Sequence, residues 1–364
     1  MSGVFQDIFR GKRVFLTGHT GFKGTWLSLW LLELGAELWG YALAPNTQPS
    51  MFEQCALQAK MQSQLADIND PTSLLKSMRE YVPDIVIHMA AQPLVRYSYQ
   101  HPVETFQTNV LGTVHVLEAV RQCSSVKACL VVTSDKCYDN HEWAYAYRET
   151  DAMGGHDPYS ASKGAAELVT ASYRKSFLGS ISLASGRAGN VIGGGDWALD
   201  RIVPDCVRAL MKDQAVPVRN PGAIRPWQHV LEPLSGYLCL LMHQLQDAQR
   251  YAEAWNFGPA ASSQVPVSSV VTGVIKHWGK GAWDDLSQQT KPHEAAFLRL
   301  DCSKAHQYLH WLPVLEMDEC LALTVDWYKA AHAQGQNFNA LAYTQQQIRH
   351  YVGLAKSRKV SWAT

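Results

Sequence analysis

The chain has 364 residues, 47% hydrophobic and 18% charged, which is the composition of a globular protein and excludes the disordered class. Lys+Arg and Asp+Glu are equal at 32 each, so no global field draws the chain to nucleic acid or to an anionic membrane. No stretch approaches the roughly 20 apolar residues that span a bilayer, and residues 1–12 hold no apolar run of signal-peptide length.

Eight cysteines stand singly, at Cys55, Cys123, Cys129, Cys137, Cys206, Cys239, Cys302 and Cys320, without a CxxC spacing. They read as reduced thiols, with no disulfide framework and no metal site, and the expectation is a soluble cytoplasmic enzyme. The length suits one large domain or two smaller ones.

In chain order, residues 13–17, 37–43, 84–90 and 128–134 are short runs rich in Val, Ile and Leu, which predicts buried parallel strands. Residues 26–34, 71–81 and 103–122 carry helical spacing between them. Another strand is expected before Asp67, and two more at residues 181–186 and 254–257. Strand–helix alternation predicts an α/β fold, a Rossmann doubly wound parallel sheet with ligands at the carboxyl ends of its strands. After Arg187 the pattern breaks into Gly- and Pro-rich loops at 191–197 (VIGGGDW) and 218–227 (VRNPGAIRPW) among short helices. The expected division is a dinucleotide domain at 1–187 with a returning segment near 228–258, a partly interleaved smaller α/β substrate domain at 188–330, and a polar, helical tail at 331–364.

The first strand runs into Thr17-Gly18-His19-Thr20-Gly21-Phe22-Lys23-Gly24 and then a helix. Glycines at 18, 21 and 24 let backbone N–H groups and the helix N-terminus face a pyrophosphate, so Gly18, Thr20, Gly21, Phe22, Lys23 and Gly24 are the candidate cofactor loop. The acidic residue expected for an adenosine ribose is missing, since residues 42–48 read ALAPNTQ. They also lack the Arg or Lys that a 2′-phosphate needs, which favours NAD over NADP. Asp67 and Ile68 are the candidates for the adenine edge.

Asp157-Pro158-Tyr159-Ser160-Ala161-Ser162-Lys163 opens a helix, with Pro158 suited to its first turn. Tyr159 and Lys163 are four residues apart and share a face. Ionising a free phenol at pH 7 costs about 4 kcal/mol, and a neighbouring ammonium and a cationic nicotinamide offset much of that. Tyr159 is then a base for a hydroxyl proton, and Ser134 is placed to hydrogen-bond the same hydroxyl.

TGxxGFxG at 17–24, MAAQ at 89–92, Asn109 within TNVLGT, and the Tyr159/Lys163 pair together resemble the extended short-chain dehydrogenase/reductases that act on nucleotide sugars, over the chain to about residue 330. The resemblance implies NAD as cofactor, with Ala90, Ala91, Gln92 and Asn109 near it. It also implies a nucleotide-sugar substrate near Asn190, and a homodimer or homotetramer in bacterial deoxysugar formation for surface polysaccharide, such as lipopolysaccharide O-antigen.

Within that family the stretch Ser134-Asp135-Lys136 discriminates between reactions. In 4-epimerases the matching residues look small and neutral; in 4,6-dehydratases they resemble an acid and a base for removing water. The Asp-Lys variant is similar to the branch acting on CDP-glucose, which implies that substrate. Asp135 is then the acid for the departing C6 hydroxyl and Lys136 the base for the C5 proton. Unperturbed, Asp is ionised and Lys charged at pH 7, opposite to both roles. A plain ion pair, or a proton shared between the two, are the alternatives. At the substrate end Arg201, Arg219 and Arg225 are candidates for the pyrophosphate, with Trp197 and His229 beside them. The rival functions are a 4-epimerase or dehydrogenase of the same fold, and a non-catalytic NAD-binding regulator.

Overall fold

Seven parallel strands form the central sheet of the computed structural model, which describes residues 1–288 and 297–364. The first six are β1 (Arg13–Thr17), β2 (Glu37–Ala42), β3 (Gln62–Leu65), β4 (Ile85–His88), β5 (Ala128–Val132) and β6 (Ser182–Ala188). Beyond them the chain forms β7 (Asn190–Ile192), β8 (Val216–Val218) and β9 (Ile224–His229), then returns to the sheet as β10 (Ala254–Phe257). The spatial order is β10-β6-β5-β4-β1-β2-β3. Val14, Phe15 and Leu16 are buried, as is every residue of β4, β5 and β6, because helices cover both faces of the sheet. β3, with the polar sequence QSQL, sits at the edge where only one neighbour is needed.

The strand order reverses between β1 and β4, which is where a doubly wound sheet opens a crevice. Thr17 and His88 end these two strands in register, and Thr17 Oγ1 lies 2.8 Å from His88 Nδ1. The predicted strand 84–90 stops at His88 because the N–H groups of Met89 and Ala90 turn to the Thr17 hydroxyl. Likewise 128–134 stops at Val132, where Ser134 starts a tight turn at Asp135–Cys137 by accepting the Lys136 N–H at 3.2 Å.

The predicted helix 103–122 is one helical run in three pieces. Pro102–Phe106 leads into a π turn at Gln107–Leu111 and on into Gly112–Arg121. The extra residue in the π turn accompanies an inward-facing Asn109.

The second lobe packs a three-stranded sheet ordered β11-β9-β7, with β11 at Gln264–Pro266, against the helices Ile202–Leu210, Val267–Trp278 and Met317–Gln334. A short pair joins β8 to β12 (Trp283–Asp285). One apolar core runs through both lobes, taking in Trp26 and Leu27 as well as Val207 and Trp327. The polar tail is helical at Ala340–Ser357 and its inner face belongs to that core. Trp362 stacks on Phe5 at 4.8 Å between ring centroids, tying the two chain ends together. No helix among the described residues is long and apolar enough to cross a membrane.

Candidate active site

A cleft of about 570 Å³ opens at the carboxyl ends of β1, β4 and β5 and reaches into the second lobe. Gly18 has φ +79°, and a Cβ there would stand 2.7 Å from the Ala90 backbone nitrogen. A Cβ on Gly24 would stand 2.1 Å from the Gly18 carbonyl oxygen. The loop therefore packs backbone on backbone, and only glycine fits at either position. Gly21 caps the helix Phe22–Glu33 without a side-chain hydrogen bond, so the first amides of that helix face the cleft uncapped. This cradle fits a dinucleotide pyrophosphate.

Gly18, Thr20, Gly21, Phe22, Lys23 and Gly24 all line the cleft, as do Asp67, Ile68, Ala90 and Ala91. Thr20 Oγ1 donates to the Leu43 carbonyl at 2.8 Å, fixing the loop to the end of β2. His19 turns away beneath Gly40 and meets Ser63 at 2.7 Å; burial pushes its pKa down to about 4, so it packs as a neutral ring.

The helix Pro158–Ser176 begins where the sequence places it, with Asp157 accepting the Ser160 N–H at 3.0 Å and Pro158 in the first turn. Tyr159 and Lys163 are 8% and 7% exposed and both line the cleft. Burial pushes the Tyr159 phenol up to about 12; a Ser134 hydrogen bond and the Arg201 charge oppose this, and Asp135 adds to it. Burial pulls the Lys163 ammonium down to about 8, against the nearby Glu167. Lys23 falls further, to about 7, through burial and the repulsion of Lys163 and Arg201. Its Nζ reaches Tyr237 Oη at 3.4 Å. Without a neighbouring nicotinamide charge, a phenol with the pKa of Tyr159 would cost roughly 7 kcal/mol to deprotonate at pH 7.

Ser134 Oγ donates to Asp135 Oδ1 at 3.0 Å, which ties the two neighbouring side chains together. Asp135 is 2% exposed, and burial raises its pKa above the usual carboxylate range despite Lys136, Ser134 and Arg225. Its Oδ2 is buried without a hydrogen-bond partner among the described residues. That oxygen does not close into a hydrogen-bonded ion pair with Lys136, and it is the atom that a donor proton would occupy. Lys136 lines the same cleft.

Asn190, Trp197, Arg201, Arg219 and Arg225 also line the cleft. Arg201 pairs with Asp196 at 2.8 Å, and Arg219 with Asp200 at 2.8 Å. Arg225 is buried, donates to the Ile224 carbonyl at 3.0 Å, and lies close enough to lower the Asp135 pKa. Trp197 packs edge-on against Tyr328 at 5.2 Å while its indole N–H reaches Gln54.

Three candidates stand outside the cleft wall. His229 is fully buried against the edge of Trp26, accepts the Leu231 N–H and is held neutral by burial, with its pKa near 3. Gln92 and Asn109 are buried behind the wall. Asn109 accepts the Gln92 N–H at 2.8 Å and donates to Ser162 Oγ at 2.8 Å, so it anchors the loop after β4 to the catalytic helix. Its polar atoms are used there instead of on a ligand. Sequence reasoning missed Arg96 and Tyr237, which reach this region, and the buried Glu167 behind Lys163. Only the YxxxK helix register, extended one turn, would have singled out Glu167.

The family model for GDP-mannose 4,6 dehydratase matches residues 15–324. A CDP-glucose 4,6-dehydratase of Salmonella typhimurium is 52% identical over 334 residues, 90% of this chain and 93% of that protein. Among solved structures, DesIV, the dTDP-glucose 4,6-dehydratase of Streptomyces venezuelae with NAD bound, superposes with a TM-score of 0.77. It is 21% identical, over 89% of this chain and 99% of that one. The UDP-glucose 4-epimerase of Thermus thermophilus in complex with NAD reaches 0.76 at 24% identity, over 88% and 99% of the two chains.

Proposed function

The chain belongs to the GDP-mannose 4,6 dehydratase family, and from that premise we propose that it converts CDP-D-glucose to CDP-4-dehydro-6-deoxy-D-glucose with NAD. The enzyme is an NAD-dependent hydro-lyase acting on a nucleotide sugar. The observation that carries this reading is Asp135, a buried carboxyl with a raised pKa and an unpartnered oxygen beside Tyr159, because oxidation at C4 alone needs no second acid. CDP as the nucleotide is supported by the Salmonella relative.

Gly18–Gly24, Asp67, Ile68, Ala90 and Ala91 would hold NAD, with the open N-terminus of the helix Phe22–Glu33 toward its pyrophosphate. When bound, NAD supplies the hydride acceptor for C4, the hydride donor for C6, and a positive charge beside Tyr159. Tyr159 removes the C4 hydroxyl proton, with Lys163 and the Ser134 hydroxyl stabilising the phenolate. The resulting 4-ketone acidifies the C5 proton, which Lys136, on the cleft wall, is the residue to remove. Asp135 gives its proton to the departing C6 oxygen, and general acid help of this kind contributes about 10²–10⁴-fold. Arg201, Arg219 and Arg225 face the sugar-nucleotide end, where Arg219 exchanges its hold on Asp200 for phosphate oxygens.

The reading also includes a homodimer or homotetramer, supported by the exposed apolar Val103, Phe106 and Leu168 on adjacent helices. A cytoplasmic location is supported by eight unpaired, buried cysteines. Incubation with CDP-glucose in deuterated water tests the reaction. The expected product has lost one water, gained one solvent deuterium at C5, and carries the former C4 hydrogen at C6. A product of unchanged mass inverted at C4 would replace this reading with a 4-epimerase.

A further inference from the structure

One turn beyond Lys163, on the face of the helix turned to the sheet, Glu167 is 4% exposed. Its carboxylate is fully engaged. Oε1 accepts the Thr133 hydroxyl at 2.5 Å, and Oε2 accepts the Ser185 hydroxyl at 2.8 Å and the Arg187 guanidinium at 2.7 Å. Thr133 directly precedes Ser134, Asp135 and Lys136, while Ser185 and Arg187 belong to β6. Arg187 is itself fixed, donating to Tyr138 Oη at 2.7 Å and to the Glu149 carbonyl. A single carboxylate thus pins the helix bearing Tyr159 and Lys163 to the strand end bearing Ser134, Asp135 and Lys136.

We propose that Glu167 is a positioning residue of this active site, which holds the Tyr159/Lys163 helix in register with Ser134 and sets a buried carboxylate one helical turn from Lys163.

The charge balance around Lys163 supports this. His88 from β4, Lys23 from the first helix, Cys137 from the turn after β5, and Tyr159 and Glu167 on its own helix face it. Lys23 repels its charge, and burial neutralises His88 with a pKa near 3. The Cys137 thiol is held far above its ordinary range by burial, so at neutral pH it offers no anion. Glu167 is therefore the one buried anion that offsets the desolvation of Lys163 among these groups. It is itself ionised: burial opposes its charge, but Arg187 and the Thr133 and Ser185 hydroxyls outweigh burial and hold its pKa below the ordinary glutamate value. Arg174, on the same helix, also falls within its field.

The inference rests on the same site as the proposed reaction, so its test is made without substrate. Lysines are labelled with carbon-13 at Cε, the Lys163 signal is assigned through Lys163→Met, and its titration is followed by NMR in the ligand-free protein. The wild-type midpoint is expected near about 8. In Glu167→Gln it should fall by about one pH unit or more, the scale on which a neighbouring opposite charge acts. The alkaline limb of C4 oxidation should fall with it, and Glu167→Asp should restore part of both. Should Glu167→Gln not fold, Glu167→Leu with Arg187→Met leaves neither charge unpaired and should move the midpoint in the same direction. A folded variant with an unmoved Lys163 midpoint overturns the proposal, whatever product the wild type makes. A shifted midpoint stands even if the sugar nucleotide is not CDP-glucose.

Discussion

Asp135→Asn should separate the oxidation from the elimination. Asparagine keeps Oδ1 as the acceptor for Ser134, so the Ser134 hydroxyl has no reason to leave its place beside Tyr159. Its amide replaces Oδ2, which has no partner to lose among the described residues. The one capacity removed is the transferable proton that the proposed mechanism gives to the leaving oxygen. General acid catalysis of about 10²–10⁴-fold corresponds to about 3–5 kcal/mol of barrier, a loss confined to the second half-reaction. In a single turnover with CDP-glucose, reduced-nicotinamide absorbance should rise at a rate within about threefold of wild type and then persist, its decay slowed by the full factor. Exchange of deuterium into C5 should continue, because Lys136 is intact. Equal slowing of the rise and the decay would refute the reasoning, since it would mean that Asp135 acts through Ser134 on the oxidation itself. A decay at the wild-type rate would refute it equally, by showing that the proton comes from elsewhere.

Two further outcomes follow from the glycine loop. Lys23 loses its charge near pH 7 in the ligand-free protein, through burial and its neighbours Lys163 and Arg201, and a bound pyrophosphate would raise that pKa. Its contribution to NAD affinity is therefore present below about pH 7 and lost as pH rises toward the bound-state pKa, by up to tenfold per unit. Calorimetric titration with NAD across that range should show this fall, and Lys23→Met should flatten it; an identical slope in the variant removes Lys23 from the pyrophosphate. Gly24→Ala places a methyl group 2.1 Å from the Gly18 carbonyl oxygen, against backbone that cannot swing aside. It should lower stability by about 1–3 kcal/mol in a denaturant melt and weaken NAD binding. Gly222→Ala meets nothing within 4 Å and should stay within about 0.5 kcal/mol of wild type.

The strands, the glycine loop and the Tyr159/Lys163 helix were legible because each is written in adjacent residues. Buried parallel strands read as unbroken apolar runs, and Asp157-Pro158 marks a helix start in two letters. What escaped the sequence depends on partners far along the chain. Nothing around Glu167 announces Arg187, which lies 20 residues on in β6. The π turn that turns Asn109 inward looks like ordinary helix in its spacing. His229 shows a subtler failure. It shares strand parity with Arg225 and Trp227, both on the cleft wall, so alternation along β9 sends it toward the substrate. It is the last residue of β9, however, where Trp26 covers it and the chain turns into the next helix. The raised pKa of Asp135 was beyond reach for the same reason, because burial by other elements causes it.

The overall fold cannot decide the reaction, since a dehydratase and an epimerase superpose on this chain with TM-scores of 0.77 and 0.76. Both chemistries begin by oxidising a hydroxyl, the step that the proposed mechanism assigns to Tyr159, Lys163 and Ser134. Elimination adds a requirement at the neighbouring carbons, and the backbone after β5 provides room for it. Because Ser134 caps the turn through the Lys136 N–H, residues 134–136 leave the sheet in a tight 3₁₀ turn, and their side chains diverge. Ser134 stays with Tyr159, Asp135 sinks toward Gly189 and Arg225, and Lys136 remains at the cleft surface. A Cβ at Gly189 would stand 3.1 Å from Asp135 Oδ2 and 2.5 Å from Pro226, so the acid fits only because residue 189 has no side chain. Burial there disfavours the carboxylate and raises the Asp135 pKa above the usual carboxylate range, the direction that the proposed acid role requires. In the proposed mechanism an acid and a base are thereby added beside the oxidising pair without displacing it, and two consecutive residues, with a glycine to receive one of them, would decide whether the ketone is turned over or dehydrated.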